Sequence, residues 1–161
     1  VIWALLPSPI GLLAAAADEH GICKIRFDGE VHGTVGDSSV LDELAAQLTA
    51  YFAGELTEFT VPLSVRSGTA FEREVWLALR RIPHGEMRTY GQIATEVGDH
   101  DPLAARAVGT ANNRNPLPIV VPCHRVVGAD GKLVGFGGGL DRKRFLLELE
   151  ARVRVERDFF L

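Results

Sequence analysis

Thr89-Tyr90-Gly91-Gln92-Ile93-Ala94-Thr95-Glu96-Val97-Gly98, followed by Asp101-Pro102 and then by Leu103 to Asn112, is the stretch that decides the fold. Thr89 with Gln92 three positions later fits a capping box. It opens a short helix through Ile93, Ala94 and Val97, which Gly98 ends. Asp101 and Pro102 supply an N-cap and an N1 proline for a further helix, from Leu103 to about Asn112. A short helix, a glycine turn and a second helix read as a helix-turn-helix. Helix pairs that never touch DNA share this pattern, so it leaves DNA binding and simple packing both open.

Working outward, Thr69-Ala70-Phe71-Glu72 fits another capping box. It opens a helix through Val75, Trp76 and Leu79 that stops before Pro83. Downstream, Gly128 to Gly139 holds six glycines in twelve residues. That suits either backbone approaching a ligand or a flexible turn. A last helix starts near Leu140, with Phe145, Leu146, Leu149 and Val153 as its apolar stripe. Glu150 lies along that stripe. It either reaches water at the edge or takes a buried partner, for which His124 or Arg125 would serve.

The first third reads as strands and turns. Ile2 to Leu6 and Leu12 to Ala17 are short apolar runs, and Ile22 to Phe27 alternates as a half-buried strand does. A glycine-rich loop, Asp28 to Ser39, leads to a helix over Val40 to Phe52 with Leu41, Leu44, Ala45, Leu48 and Phe52 on one side. The fold class is therefore α+β. A small N-terminal sheet-plus-helix domain, residues 1–68, precedes a helical domain, residues 69–161, that carries a winged-helix-like helix-turn-helix.

The chain of 161 residues is 47% hydrophobic, which suits one or two soluble domains. No apolar run approaches the ~18 residues of a membrane span. A soluble protein of a reducing, bacterial-type cytoplasm is the expectation, monomeric when free, with no membrane association. The net charge of −4 is uneven. Residues 1–70 carry three Lys/Arg against nine Asp/Glu, residues 71–145 eleven against eight, and residues 146–161 three against four. A locally basic segment suits a polyanion or an ordinary solvated surface equally.

Cys23 and Cys123 are the two cysteines. They exclude a multi-thiolate zinc site and a disulfide framework. Cys123 lies in Asn115-Pro116-Leu117-Pro118-Ile119-Val120-Val121-Pro122-Cys123-His124-Arg125-Val126. A rigid Pro-bracketed segment can hold the sulfur in place, and two neighbouring cations favour the thiolate. A phosphatase loop needs arginine six positions after the cysteine, where Ala129 stands. A papain-like hydrolase would draw on His20, His32, His84 or His100, but the local sequence around its cysteine is absent. Direct displacement, in which the thiolate accepts an alkyl group, is the third chemistry.

Pro122 to Val126, with Asn115-Pro116 before it and Gly135-Phe136-Gly137-Gly138-Gly139 after it, resembles the methylated-DNA–protein-cysteine methyltransferases, or O6-alkylguanine-DNA alkyltransferases. The resemblance runs through Phe71 to Trp76, Gly85-Glu86, Thr89-Tyr90, Ala104 to Gly109, Leu146-Leu147 and Glu150. It is strong over residues 71–150 and holds in outline over residues 1–70. It implies DNA repair by direct reversal. The alkyl group of O6-alkylguanine, and by extension O4-alkylthymine, passes once and irreversibly to the protein after the base flips from the minor-groove side of double-stranded DNA. No cofactor and no metal are expected.

The resemblance also implies residue roles. Cys123 matches the alkyl acceptor and His124 the base, which acts through a water and diverges from Cys123 on extended backbone. Glu150 matches the carboxylate that orients the histidine, and Asn115 the brace of the turn. Tyr90 matches the phenol that donates to guanine N3, and Arg106 the finger that fills the vacated stack. Val126 offers a carbonyl to the guanine amine, and Gly137 an amide near the oxygen. Contact with DNA or the base is further expected at Thr89, Gln92, Ala104, Ala105, Gly109, Asn113, Arg125 and Phe136. Two departures stand out. Asp99 to Leu103 makes a longer, acidic turn beside the DNA-binding helix, and Phe136 replaces a common tyrosine. A non-catalytic alkylated-DNA binder would lack the acceptor cysteine, which is present here.

Overall fold

Alternation in the first third does produce strands. The computed structural model describes residues 1–159. The chain folds as two compact units, one of Val1–Ser67 and one beginning at Gly68. In the first, β1 (Ile2–Leu6), β2 (Leu13–Ala17) and β3 (Ile22–Arg26) form an antiparallel meander. Every residue of β2 is buried, because it lies mid-sheet. Its alanines are poor strand formers by propensity, and tertiary context overrides this. A strand not foreseen, β4 (Thr34–Val35), pairs parallel to β1 and completes the order β3-β2-β1-β4. Gly33 explains the close return of the loop: a Cβ there would lie 2.9 Å from the Trp3 indole. Helix α1 (Ser39–Phe52) starts one residue earlier than its periodicity suggested, because the Ser38 hydroxyl accepts from the Leu41 amide at 3.3 Å. Leu41, Leu44, Leu48 and Tyr51 are its buried side. Cys23 packs into the core with Trp3, Ala14 and Ala16.

The second unit is mostly helical: α2 (Ala70–Arg80), α3 (Tyr90–Glu96), α4 (Ala104–Asn113) and α5 (Leu140–Phe159). Both capping boxes form as read, Thr69 with Glu72 and Thr89 with Gln92. The start of α4 differs from expectation. Asp101 caps a turn instead, its carboxylate accepting from the Leu103 amide at 2.8 Å, and the helix begins at Ala104 with no side-chain cap. Pro102 and Leu103 thus lengthen the turn between α3 and α4. Two short parallel strands, β5 (Arg88–Thr89) and β6 (Val126–Val127), were also not foreseen. They tie the start of α3 to the segment after Cys123. Two residues are too few to show a strand period. No described helix is long and apolar enough to cross a membrane.

Helix α2 braces α4 and the residue that ends it. The Trp76 indole donates to the Ala111 carbonyl at 2.8 Å, and Glu72 pairs with Arg114 at 3.4 Å. Trp76→Phe should therefore destabilise the protein by about 1–2 kcal/mol, through a lost buried hydrogen bond and lost volume. A urea titration should show a lower midpoint at unchanged slope. An unmoved midpoint would contradict this bracing.

Candidate active site

The Pro-rich segment forms a sequence of tight turns ending at the sulfur. Val121 N–H donates to the Leu117 carbonyl at 2.8 Å, and Cys123 N–H to the Val121 carbonyl at 2.8 Å. The second bond closes an inverse γ-turn on Pro122, whose φ and ψ are −81° and 67°. Ile119 has φ 74°, a left-handed conformation rare for a β-branched side chain. Such residues cost on the order of 1–3 kcal/mol and need surroundings that enforce them. Asn115 does so from both ends of its amide. Its Nδ2 donates to the Val121 carbonyl at 2.8 Å, and its Oδ1 accepts from the Leu117 amide at 2.9 Å.

Cys123, His124 and Arg125 then form one 3₁₀ turn rather than extended backbone. The tight turn lets consecutive side chains diverge without a strand. From α4, buried Asn112 donates to the Cys123 carbonyl at 3.2 Å. The thiol is only 4% exposed. Burial pushes its pKa up to about 11, against the hydrogen bond from Asn115 and the charge of Lys143. This corrects the expectation of a standing thiolate. At neutral pH the free protein holds a thiol, which must lose its proton as it reacts.

The neighbouring cations are engaged elsewhere. Arg125 is buried and forks onto Glu150: Nε to Oε1 at 2.7 Å and Nη2 to Oε2 at 3.0 Å. Its Nη1 donates to the Ile82 carbonyl at 2.7 Å. The expectation of a DNA contact at Arg125 is thereby corrected, since all three nitrogens are engaged inside. His124 is fully buried, with Nε2 2.7 Å from Glu150 Oε2. An ionised carboxylate only accepts, so Nε2 carries the ring proton and Nδ1 is the basic nitrogen. Nδ1 is buried with no hydrogen-bond partner among the described residues. Burial keeps His124 below the ordinary histidine range, outweighing the Glu150 carboxylate. Burial would raise Glu150, but His124 and Arg125 hold it well below the usual carboxylate range. Gly85 completes the set, its amide donating to Glu150 Oε1 at 3.3 Å from a turn with φ 83°.

The sequence reading missed Lys143. It is wholly buried on α5, and its Nζ donates to the carbonyls of Val126 at 2.5 Å, Val134 at 3.2 Å and Gly135 at 3.4 Å. Burial lowers its pKa, while Cys123 pulls it upward. The ammonium lies 6.0 Å from the ring centroids of both Tyr90 and Phe136. A signal existed: Lys143 precedes Leu146 by three and Glu150 by seven, on the same helical stripe.

Tyr90, at the start of α3, donates to the Val134 carbonyl at 3.0 Å. Burial and then the Cys123 charge raise its pKa, so it remains a donor. A Cβ on Gly109 would meet its ring at 3.8 Å, and one on Gly135 would lie 3.8 Å from Asn113 Nδ2. Tyr90, Gly109, Asn113 and the loop at Gly135 therefore sit side by side. Val126 is buried in β6, one lone pair of its carbonyl taken by Lys143. Phe136 is half-buried and Gly137 exposed.

The remaining residues spread along α3 and α4. Thr89 and Gln92 have their side-chain oxygens in the cap of α3. Ala105, Arg106 and Asn113 are exposed on α4 and Gly109 partly so, whereas Ala104 is buried with Val108 and Ala111. The slim outer stripe is accordingly Ala105, Gly109 and Asn113, and Ala104 belongs to the inner side. Among the described residues no His, Cys, Asp and Glu cluster could hold a metal ion.

Comparisons with known proteins extend over both units. The family model described as 6-O-methylguanine DNA methyltransferase, DNA binding domain, matches residues 70–152. That described as 6-O-methylguanine DNA methyltransferase, ribonuclease-like domain, matches residues 1–65. A methylated-DNA–protein-cysteine methyltransferase of Methanosarcina acetivorans is 52% identical over 92% of this chain and 97% of its own length. One from Mycolicibacterium paratuberculosis is 51% identical over 93% and 92%. The crystal structure of Mycobacterium tuberculosis OGT in complex with DNA superposes with TM-score 0.86 at 48% identity, covering 95% of this chain and 94% of that one.

Proposed function

Because this chain belongs to the methylated-DNA–protein-cysteine methyltransferases, we propose that it takes the alkyl group of O6-alkylguanine in double-stranded DNA onto Cys123, once per molecule. The observation that carries this reading is the buried chain Glu150–His124, which ends in a basic nitrogen with no hydrogen-bond partner among the described residues, one residue from the buried thiol. His124 Nδ1 takes the thiol proton, through a water as the resemblance implies. The S–C bond forms as the C–O6 bond breaks, and the electron pair goes to the guanine. The proton lost by the thiol matches the one the base takes up. Tyr90 exchanges the Val134 carbonyl for the guanine ring nitrogen as negative charge grows there. A thioether is stable, and nothing in the site passes the methyl onward, so the protein is consumed. O4-alkylthymine presents the same alkyl-oxygen bond and is a second candidate substrate.

A sulfur this buried cannot reach an alkylated oxygen inside a base stack, so the nucleotide must flip. In this proposal residues 69–161 bind DNA and accept the alkyl group, residues 1–68 support them, and the free protein is a monomer. The outer stripe Ala105–Gly109–Asn113 is narrow enough to enter a minor groove about 6 Å wide. Arg106 beside it fills the vacated stack. Arg106→Ala should then slow repair of duplex DNA while sparing reaction with free O6-benzylguanine, which needs no flipping. Equal loss on both substrates would assign Arg106 to the pocket or the fold instead. Single-turnover kinetics on the two substrates make the comparison.

A further inference from the structure

Arg125 has no place in the proposed transfer, yet it is more deeply bound into the site than its place in the sequence suggests. Its fork onto Glu150, the 2.7 Å bond to the Ile82 carbonyl and its burial exclude solvent and DNA as its partners. Besides the Gly85 amide, Glu150 thus serves two ionisable donors of different kinds. Arg125 carries a permanent charge, whereas His124 can be charged or neutral.

We propose that Arg125 is a positioning residue that pairs the Glu150 charge permanently, so that His124 stays a neutral imidazole whose Nδ1 can accept the thiol proton. This rests on the reading of His124 as the base. The charge balance supports it. With Arg125 present, the Arg125–Glu150 pair is electrically neutral with His124 uncharged. Without Arg125, the buried carboxylate would lose its permanently charged partner, and protonating His124 would become more favourable. A histidine already protonated cannot take a proton from Cys123. A simple Glu–His pair buried at this depth would therefore work against its own base. The other charged or titratable groups around His124 act in the same direction as Arg125. Lys143 from α5 disfavours a second positive charge, as does His84 from the loop after α2. Cys123 on the same turn is uncharged until it reacts.

The test is the pH dependence of single-turnover alkylation by free O6-benzylguanine, together with ¹⁵N NMR titration of the His124 imidazole. In the unaltered protein the ring should be neutral and Nε2-protonated at pH 7. Arg125→Gln should move the inflection of the rate profile up by about one pH unit or more. Below the moved inflection its rate should fall by about tenfold per pH unit, recovering as pH rises. Arg125→Lys keeps the charge and should keep the inflection near its original position. A uniform loss at every pH with an unmoved inflection would show a merely structural arginine and overturn the proposal. A His124 ring protonated at pH 7 in the unaltered protein would overturn it even if Arg125→Gln failed to fold. The reading of His124 as base fails separately, if His124→Ala reacts at the full rate.

Discussion

Cys123→Ser should abolish alkyl transfer altogether. The substitution keeps a hydrogen-bonding group of similar shape in the same turn, so Asn115 and the turns around Pro122 remain. What it removes is the nucleophile. A serine hydroxyl is far less acidic than a thiol, and this site already opposes charge on a group 4% exposed. His124 cannot make up that difference. DNA binding should persist, because the exposed α4 surface is untouched. Residual transfer by the serine variant, or methyl appearing on Cys23, would contradict the assignment. Cys23 gives a useful internal control, being a second buried thiol that packs with Trp3, Ala14 and Ala16.

Loss of the base has the next largest effect. His124→Ala should slow single-turnover alkylation by about 10²–10⁴-fold at pH 7. The pH profile gives the diagnosis. Cys123 has its pKa pushed up to about 11, so without a base the thiolate fraction grows about tenfold per pH unit below that value. The variant's rate should climb with pH across the range where the unaltered protein has levelled off. A pH-independent loss would mean that His124 only shapes the pocket. Glu150→Gln should also slow the reaction, and it carries a folding cost. It leaves the Arg125 guanidinium buried and unpaired, a change that typically destabilises by about 3–5 kcal/mol. Its rate must therefore be read at a temperature where circular dichroism shows it folded. A folded Glu150→Gln protein with an unchanged rate would remove the carboxylate from the account.

Much of this arrangement could be read from the sequence where local chemistry decides it. Capping boxes are short-range, so Thr69 with Glu72 and Thr89 with Gln92 gave the right helix starts. Asp101-Pro102 misled because a capping aspartate and a proline also suit a plain turn, and α4 begins two residues after Pro102. Periodicity placed Glu150 on a buried stripe, and the structure gives it the partners that burial demands. The same stripe carries Lys143, overlooked because a lysine there reads as an edge residue with its stem along apolar surface. Its three carbonyl acceptors come from β6 and the glycine loop, which no spacing rule brings together.

Arg125 shows the limit most directly. Beside a cysteine, in a locally basic segment, its charge points equally well toward DNA or toward a thiolate. Its actual partner lies 25 residues away on α5. The state of the sulfur is decided elsewhere, by burial, which raises the Cys123 pKa against Asn115 and Lys143. Sequence patterns identify which groups are present, and only the fold decides which charges neutralise each other.

Intact mass before and after incubation with duplex DNA containing O6-methylguanine tests the central claim most directly. The account predicts a gain of one methyl group per protein molecule, located by peptide mapping on Cys123, with no further demethylation once every molecule carries it. Continued turnover beyond one equivalent, or a methyl group anywhere other than Cys123, would contradict it.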